Sequence, residues 1–418
     1  MGLPRRIHAT HHHRGGARPV PNNSVGIPRR IILIFGTAAG TGTAGPGAMS
    51  GPLSAGGATS ATGHAMLASL FLAILACENT ASMLARRYAV GVIKLQFSKN
   101  AVLAVNELMK LAFSVAMVAA QVREQKAQGL SPRGATFGRH GVDSGASLSA
   151  HLRRCAKHSP RMAVPAVVYL VVNLISYPAL ARVNASVFTA ISQLKVLATA
   201  FFAVVMLGTP ISGRKWRTLV LMVLGVTLVS VESAPGGHAD DAERGDRGGV
   251  DYAVGIACAA TQTMLSGFGS IYFEMVLKRG GGGGAAGGGE GFSVWDRNIQ
   301  LALYSIAIYM PMAWVETGGD LLAGWTPLVW GIACLHAAGG ILVALSVLYT
   351  SSVTKTVAVC ASLVLTTVLG NAFFDAPLNG SIMIGCFVVV ITVFAYRDDG
   401  DVEEELKKLR AEAAGHRV

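Results

Sequence analysis

Ten apolar stretches set off by short polar ones dominate the pattern of the chain. They run over residues 66–84, 101–120, 162–180, 185–207, 216–231, 254–277, 299–315, 328–349, 354–374 and 378–396. Most approach the ~20 residues that a helix needs to cross hydrocarbon. Lipid offers no partners to backbone amides and carbonyls, so these stretches are predicted to be helices that bond internally. The stretch 216–231 is short and 254–277 is long, which predicts tilt or thickness mismatch. Ahead of them, residues 1–63 are rich in Gly, Ala, Ser, Pro, Arg and His, and no acidic residue precedes Glu78. Such a segment buries too little apolar surface to order itself. Beyond them, Glu403-Glu404-Glu405-Leu406-Lys407-Lys408 mixes signs along a solvated cytosolic helix. The expected organisation is a low-complexity tail over 1–63, a ten-helix domain over 64–397 and a charged cytosolic tail over 398–418.

Charge between the stretches alternates. The segment 121–161 holds Arg123, Lys126, Arg133, Arg139, Arg153, Arg154, Lys157 and Arg161, the fourth stretch is followed by Arg214, Lys215 and Arg217, and the sixth by Lys278, Arg279 and Arg297. The segment 232–250 is mainly acidic, and 316–326 and 375–379 carry no Lys or Arg. Only the first loop, with Arg87, Lys94 and Lys99, resists the trend. The positive-inside rule then places both termini and the even-numbered loops in the cytosol.

Composition agrees with spans in lipid. Hydrophobic residues make up 52% and charged residues 14%, with mean hydropathy +0.49. Soluble domains carry about a quarter charged residues. The net charge of +12 sits between apolar segments rather than on a basic face interleaved with aromatics, which argues against nucleic acid as a partner. The six cysteines show no metal-ligand spacing and read as small core residues. His11-His12-His13 reads as low complexity rather than a metal site. The Gly-rich run 280–289 follows no strand and precedes no Lys-Ser/Thr pair, so it is a linker and not a phosphate loop.

Ionisable residues inside the apolar stretches carry the chemistry. A central Lys or Asp costs about 2.5–3.5 kcal/mol on insertion scales, so it should line a cavity or find a partner. Lys195 lies deep in the fourth stretch with no acid on either flank, and Lys355 opens the ninth. Ten spans divide into two sets of five. An odd-numbered repeat inserts upside down relative to its twin, with substrate held near the midplane between them. Spans four and nine are then counterparts, each with one lysine and no intramembrane acid, a pair suited to an anion such as a diphosphate. Glu107 and Lys110 are spaced to pair with each other, as are Glu274 and Lys278. Glu78 either lines the cavity or neutralises a lysine, and His336 reads as a core histidine. Asn173, Ser192, Gln193, Thr199 and Asn298 need partners in lipid, each other or a nucleobase and ribose. No Ser/His, paired-carboxylate or metal constellation is visible, so no catalytic residue, metal or cofactor is assigned and an enzyme is not expected.

Four motifs carry a resemblance. They are Ala163-Val164-Pro165-Ala166-Val167-Val168-Tyr169-Leu170 with Asn173, Gln193-Leu194-Lys195 with 199–208, Gly267-Phe268 with Ile271-Tyr272-Phe273-Glu274-Met275-Val276-Leu277-Lys278, and Ser293-Val294-Trp295-Asp296-Arg297-Asn298-Ile299-Gln300-Leu301. Together they resemble the nucleotide-sugar transporters of the CMP-sialic acid, UDP-galactose and UDP-N-acetylglucosamine branch, within the drug/metabolite transporter superfamily, over about 66–397. The resemblance implies exchange of a cytosolic nucleotide sugar for a luminal nucleoside monophosphate across the Golgi or ER membrane. It implies phosphate contacts at Lys195 and Lys355 and base and ribose contacts at Asn173, Phe188, Thr199 and Asn298, with Gln193 in the fourth-span motif. The chain departs from the family at Phe188, where tyrosine is frequent, at Ala302, where an aromatic is usual, at Leu348, and at Thr356-Val357.

The expectation is therefore an all-α membrane protein of ten transmembrane helices in two inverted five-helix repeats, an antiporter of a UDP- or CMP-sugar against a nucleoside monophosphate. Its partners are those two ligands and the lipid bilayer. A homo-oligomer is compatible with the sequence, which does not set the oligomeric state. The substitutions at Ala302 and Leu348 motivate a rival reading as a transport-inactive regulatory paralogue. The acid-poor leader, which resembles a transit peptide, motivates another as a plastid permease for phosphorylated sugars.

Overall fold

The structure, a computed structural model, describes residues 56–127, 147–233, 249–279 and 292–415. They fall within one compact unit, Pro46–Val418. The expected linker at 280–289 and most of the expected tail over 1–63 lie outside the described residues. Among those described, the regular elements are helices and no strand occurs.

The helices are α1 (Gly56–Arg86), extended by a π-helical segment over Arg87–Val92, then α2 (Lys99–Ala127), α3 (Leu148–Lys157), α4 (Pro160–Arg182), α5 (Ala185–Gln193), α6 (Lys195–Leu207), α7 (Gly213–Glu232), α8 (Gly249–Arg279), α9 (Val294–Thr317), α10 (Pro327–Tyr349), α11 (Ser352–Phe374) and α12 (Gly380–Gly415). Local chemistry sets their ends. The Ser212 and Ser351 hydroxyls cap α7 and α11 by accepting from Lys215 N and Thr354 N. Ser293 and Asp296 form a reciprocal capping box on α9. Gly208 and Gly318 stop α6 and α9 in the left-handed conformation that glycine adopts without strain.

Nine helical stretches among the described residues are long and apolar enough to cross a membrane. One of them, Ser186–Leu207, takes in both α5 and α6. The remaining expected span, 216–231, is helical within α7. Arg214, Lys215 and Arg217 at its start and Glu232 at its end leave only a short apolar middle. Two boundaries differ from expectation: α1 begins ahead of residue 64, and α12 runs without interruption into the charged tail. Large apolar side chains such as Val205, Leu224, Phe387, Ile391 and Phe394 are exposed. A contiguous apolar exterior of this kind suits lipid rather than water as the surrounding solvent.

The main packing partners are α4 with α8, α2 with α9, α7 with α12, α8 with α5 and α6, and α1 with both α10 and α11. Smaller interfaces join α2 to α10, α4 to α9, α5 to α7 and α11 to α12. Lipid tails are as apolar as the helices, so association rests on close packing and small residues. Gly225 of α7 and Gly385 of α12 show this reciprocally. A Cβ at Gly225 would stand 3.1 Å from the Gly385 carbonyl oxygen, and one at Gly385 would stand 3.0 Å from the Gly225 carbonyl oxygen. An apolar core of Val196, Ala200, Leu219, Met222, Ile271, Val353, Val357 and Val389 joins α6, α7, α8, α11 and α12.

Candidate functional site

The fourth span is not one continuous helix. α5 ends at Gln193, Leu194 forms a single-residue break, and α6 begins at Lys195. The break leaves the local carbonyls in need of donors, and backbone freed in lipid is tolerated where neighbours satisfy it. Here Leu194 N donates to Ile191 O at 3.1 Å, and the Thr263 hydroxyl of α8 lies 3.2 Å from the same oxygen and 2.8 Å from Ala259 O of its own helix. The break therefore sets a lysine at the start of a half-helix. Thr199, buried one turn on, returns its hydroxyl to Lys195 O at 2.7 Å.

Lys355 stands in the first turn of α11. Its charge and that of Lys195 are within electrostatic reach of each other, and Lys195 also reaches Cys360. Neither amine forms an ion pair or hydrogen bond among the described residues. The nearby carboxylate is committed elsewhere: buried Glu274 accepts from Lys278 Nζ at 2.6 Å and from Ser352 N at 2.8 Å. It thus caps α11 and holds Lys278, whose amine also donates to Thr350 O at 2.5 Å. Lys355 thus lies within electrostatic reach of one cation, Lys195, and one carboxylate, Glu274, from two other helices.

The other expected contact residues have their own partners. Asn173 on α4 donates from Nδ2 to the Tyr309 hydroxyl on α9 at 2.8 Å. Buried Asn298 turns its amide back to Val294 O at 3.0 Å. Gln193 donates to Ser230 Oγ on α7 at 3.3 Å. Phe188 is half-buried, and its carbonyl accepts from Ser192 Oγ at 2.8 Å. No side-chain hydrogen bond joins Asn173, Phe188, Gln193, Thr199 and Asn298 to one another. The structure brings the two lysines together and leaves the nucleoside contacts separately held.

The expected intrahelical pair Glu107–Lys110 is present at 2.7 Å, and Glu274–Lys278 is present as well. Glu78 faces α10, where a Cβ on Gly339 would meet its carboxylate, and the cation that acts on it is Arg86 of its own helix rather than a lysine. Gly340 gives the same clearance to the Lys110 stem. Sequence reasoning missed Tyr309. Its signal was spacing: Asn298, Ala302, Ser305 and Tyr309 recur at helical intervals along one face of α9, and all four are buried.

A second cluster sits at the end of the bundle where α9 begins. His151 of α3 meets Asp296 at 2.7 Å, both side chains fully buried. Gln300 donates to Cys155 O and His158 O, and accepts from the Arg297 guanidinium at 2.9 Å. Arg154 and Arg297 both lie over the Phe292 ring. Burial, with the Asp296 charge beside it, pushes the Cys155 thiol up to about 12. Asp296 and Gln300 bracket Asn298, so α3 holds the turn that carries it.

The family model for nucleotide-sugar transporters matches residues 64–397. The UDP-galactose translocator of Bos taurus is 30% identical over 373 residues, 87% of this chain and 86% of that protein. The UDP-galactose translocator of Homo sapiens is 29% identical over 92% of this chain and 90% of its own. The UDP-N-acetylglucosamine/UDP-N-acetylgalactosamine transporter nstp-4 of Caenorhabditis elegans is 30% identical over 57% of this chain and 69% of its own. A solved crystal structure, 12% identical, superposes with a TM-score of 0.52 over 78% of this chain and 94% of that one, a likeness of fold alone. With a match across the whole helical region and relatives of this coverage, the chain belongs to the nucleotide-sugar transporter family, a family of multi-pass membrane transporters.

Proposed function

We propose that the protein exchanges a UDP-sugar from the cytosol for a luminal nucleoside monophosphate such as UMP, across the Golgi membrane, with both termini cytosolic. The observation that carries this reading is that Lys195 and Lys355, from different helices, lie within electrostatic reach of each other with no ion pair to either amine among the described residues, while Glu274, the carboxylate that also acts on Lys355, is bonded to Lys278 and Ser352. Two phosphates would supply the missing charge. Asn173, Phe188, Gln193, Thr199 and Asn298 then hold the nucleoside. The relatives named for UDP-galactose and UDP-N-acetylglucosamine favour uracil over cytosine in the cargo.

We read the domain as ten spans in two inverted repeats, counting α5 and α6 together as the fourth, α7 as the fifth and α3 as outside the membrane. Packing supports this. Adding five to each span number exchanges the α4–α8 interface with α10–α1, α5/α6–α8 with α11–α1, α2–α10 with α9–α4, and α5–α7 with α11–α12. The α2–α9 and α7–α12 interfaces map onto themselves, and in the second the two glycines face each other as such an exchange requires. Contacts between helix ends respect the alternation too: Glu316 accepts from Ser98 and Asn100, and Glu232 accepts from Asn379, all on the side assigned to the lumen.

Antiport requires that bound ligand favour an occluded state, because only differential affinity shifts a conformational equilibrium. Proteoliposomes loaded with UMP test the reading by uptake of radiolabelled UDP-sugar. Lys195→Ala and Lys355→Ala should each abolish exchange while the purified variants keep a wild-type melting profile without ligand. Near-normal exchange by Lys195→Ala removes the mechanism.

A further inference from the structure

We infer that Tyr309 is a positioning residue for Asn173: it fixes which end of that amide faces the nucleobase, and so makes the site select a base edge that donates an N–H. The inference rests on the assignment of Asn173 to the base. The Asn173 amide nitrogen donates to the Tyr309 hydroxyl at 2.8 Å. That oxygen keeps its own hydrogen to give. Glu107 lies within electrostatic reach of the phenol, and its Oε2 is buried without a hydrogen-bond partner among the described residues, whereas its Oε1 is held by Lys110 at 2.7 Å. No hydrogen bond joins the phenol to Glu107 among the described residues; the field of the carboxylate alone favours the hydroxyl hydrogen turned toward it, which leaves the oxygen as acceptor for Asn173. The order Lys110, Glu107, Tyr309, Asn173 therefore fixes the amide nitrogen against α9 and leaves Asn173 Oδ1 as the acceptor directed elsewhere. An asparagine without this partner can turn its oxygen and nitrogen over with little change in shape.

The position has a further consequence for ligand class. Tyr309 stands on the buried face of α9 that also carries Asn298 and Ala302, and Ala302 has no side chain with which to recognise a base. The burden of reading the base thus falls on the amide that Tyr309 orients. A free Oδ1 acceptor matches the imide N3–H of uracil. A base methylated at N3 offers no hydrogen there.

The experiment measures inhibition of UDP-sugar exchange by UMP and by 3-methyl-UMP in proteoliposomes, for wild type, Tyr309→Phe, Asn173→Ala and the double variant. Phenylalanine keeps the ring and removes only the hydroxyl. Wild type should prefer UMP by roughly tenfold or more, the cost of leaving a buried polar group unpaired. Tyr309→Phe should cut that preference to about twofold or less and raise KM with kcat little changed, as expected when the acceptor orientation is no longer imposed. In the Asn173→Ala background the same change should do nothing further, because residues that act through one another are not additive. A wild-type preference in Tyr309→Phe, or an undiminished effect in the Asn173→Ala background, overturns the positioning role while the assignment of Asn173 stands. An Asn173→Ala variant with unaltered KM and base preference overturns that assignment and the inference with it.

Discussion

At the scale of single residues the charges divide into those paired within their own helix and those that are not. Glu107 with Lys110 and Glu274 with Lys278 close within one turn of their own helices. Lys195 and Lys355 do not. Glu274 carries an additional load as the acceptor for the first turn of α11. Glu274→Ala should destabilise the protein by about 1.5–3 kcal/mol, the range for hydrogen bonds to charged groups, with the loss read as a lower melting temperature in detergent. The intrahelical pairs were legible in the sequence because spacing alone brings such side chains together. The Asn173–Tyr309 bond was not, since it joins side chains 136 positions apart, and no local rule selects that partner.

At the scale of elements, α3 and the α7–α12 contact make separate claims. α3 is an amphipathic helix pinned to α9 by a buried His151–Asp296 pair and by Gln300. Asp296 keeps its bonds to Ser293, so removing His151 costs one buried hydrogen bond to a charged group, about 1.5–3 kcal/mol. His151→Ala should therefore release α3. Cys155 reports the event: its thiol, held near 12, is inert at neutral pH while docked. In a variant retaining only this cysteine, maleimide should label Cys155 slowly at pH 7 and much faster after His151→Ala. Equal rates would mean that α3 is not held by this pair. The second contact is steric. Gly225→Val would press against the Gly385 carbonyl and Val388, an overpacking that should cost about 1–3 kcal/mol in thermal stability. The sequence reading took 121–161 only as a basic segment and gave no role to the two glycines, because what each packs against is not set locally. The break at Leu194 was invisible for another reason. Leu is a good helix former, so nothing in its local propensity marks the turn where Leu194 N closes on Ile191 O.

At the scale of the molecule, ten spans require opposite exposure of successive loops. Single cysteines at Gly213 and Gly318, at the first residue of α7 and just after α9, should differ in sealed right-side-out Golgi vesicles. A membrane-impermeant maleimide should label the first and spare the second until detergent is added. The same side for both would remove α7 as a span and the inverted repeat with it. The charge alternation that supports this was readable from loop composition, because topology is set by Lys and Arg near the spans. The weakest part of that reading was α7, where basic residues intrude on a short apolar stretch.

What the sequence alone determined is what depends on each segment by itself. Apolar length sets helices in lipid, because backbone groups there must be satisfied within the segment. Adjacent motifs such as Gln193-Leu194-Lys195 and Trp295-Asp296-Arg297-Asn298 mark the family. What only the tertiary structure decided is which distant groups meet: Lys195 with Lys355, Asn173 with Tyr309, His151 with Asp296, Gly225 with Gly385. A helix places its own side chains by its regular turn. The company those side chains keep is set by how whole helices pack, and in a bundle with an apolar exterior that choice rests on steric fit and a few buried polar contacts rather than on any one segment's pattern.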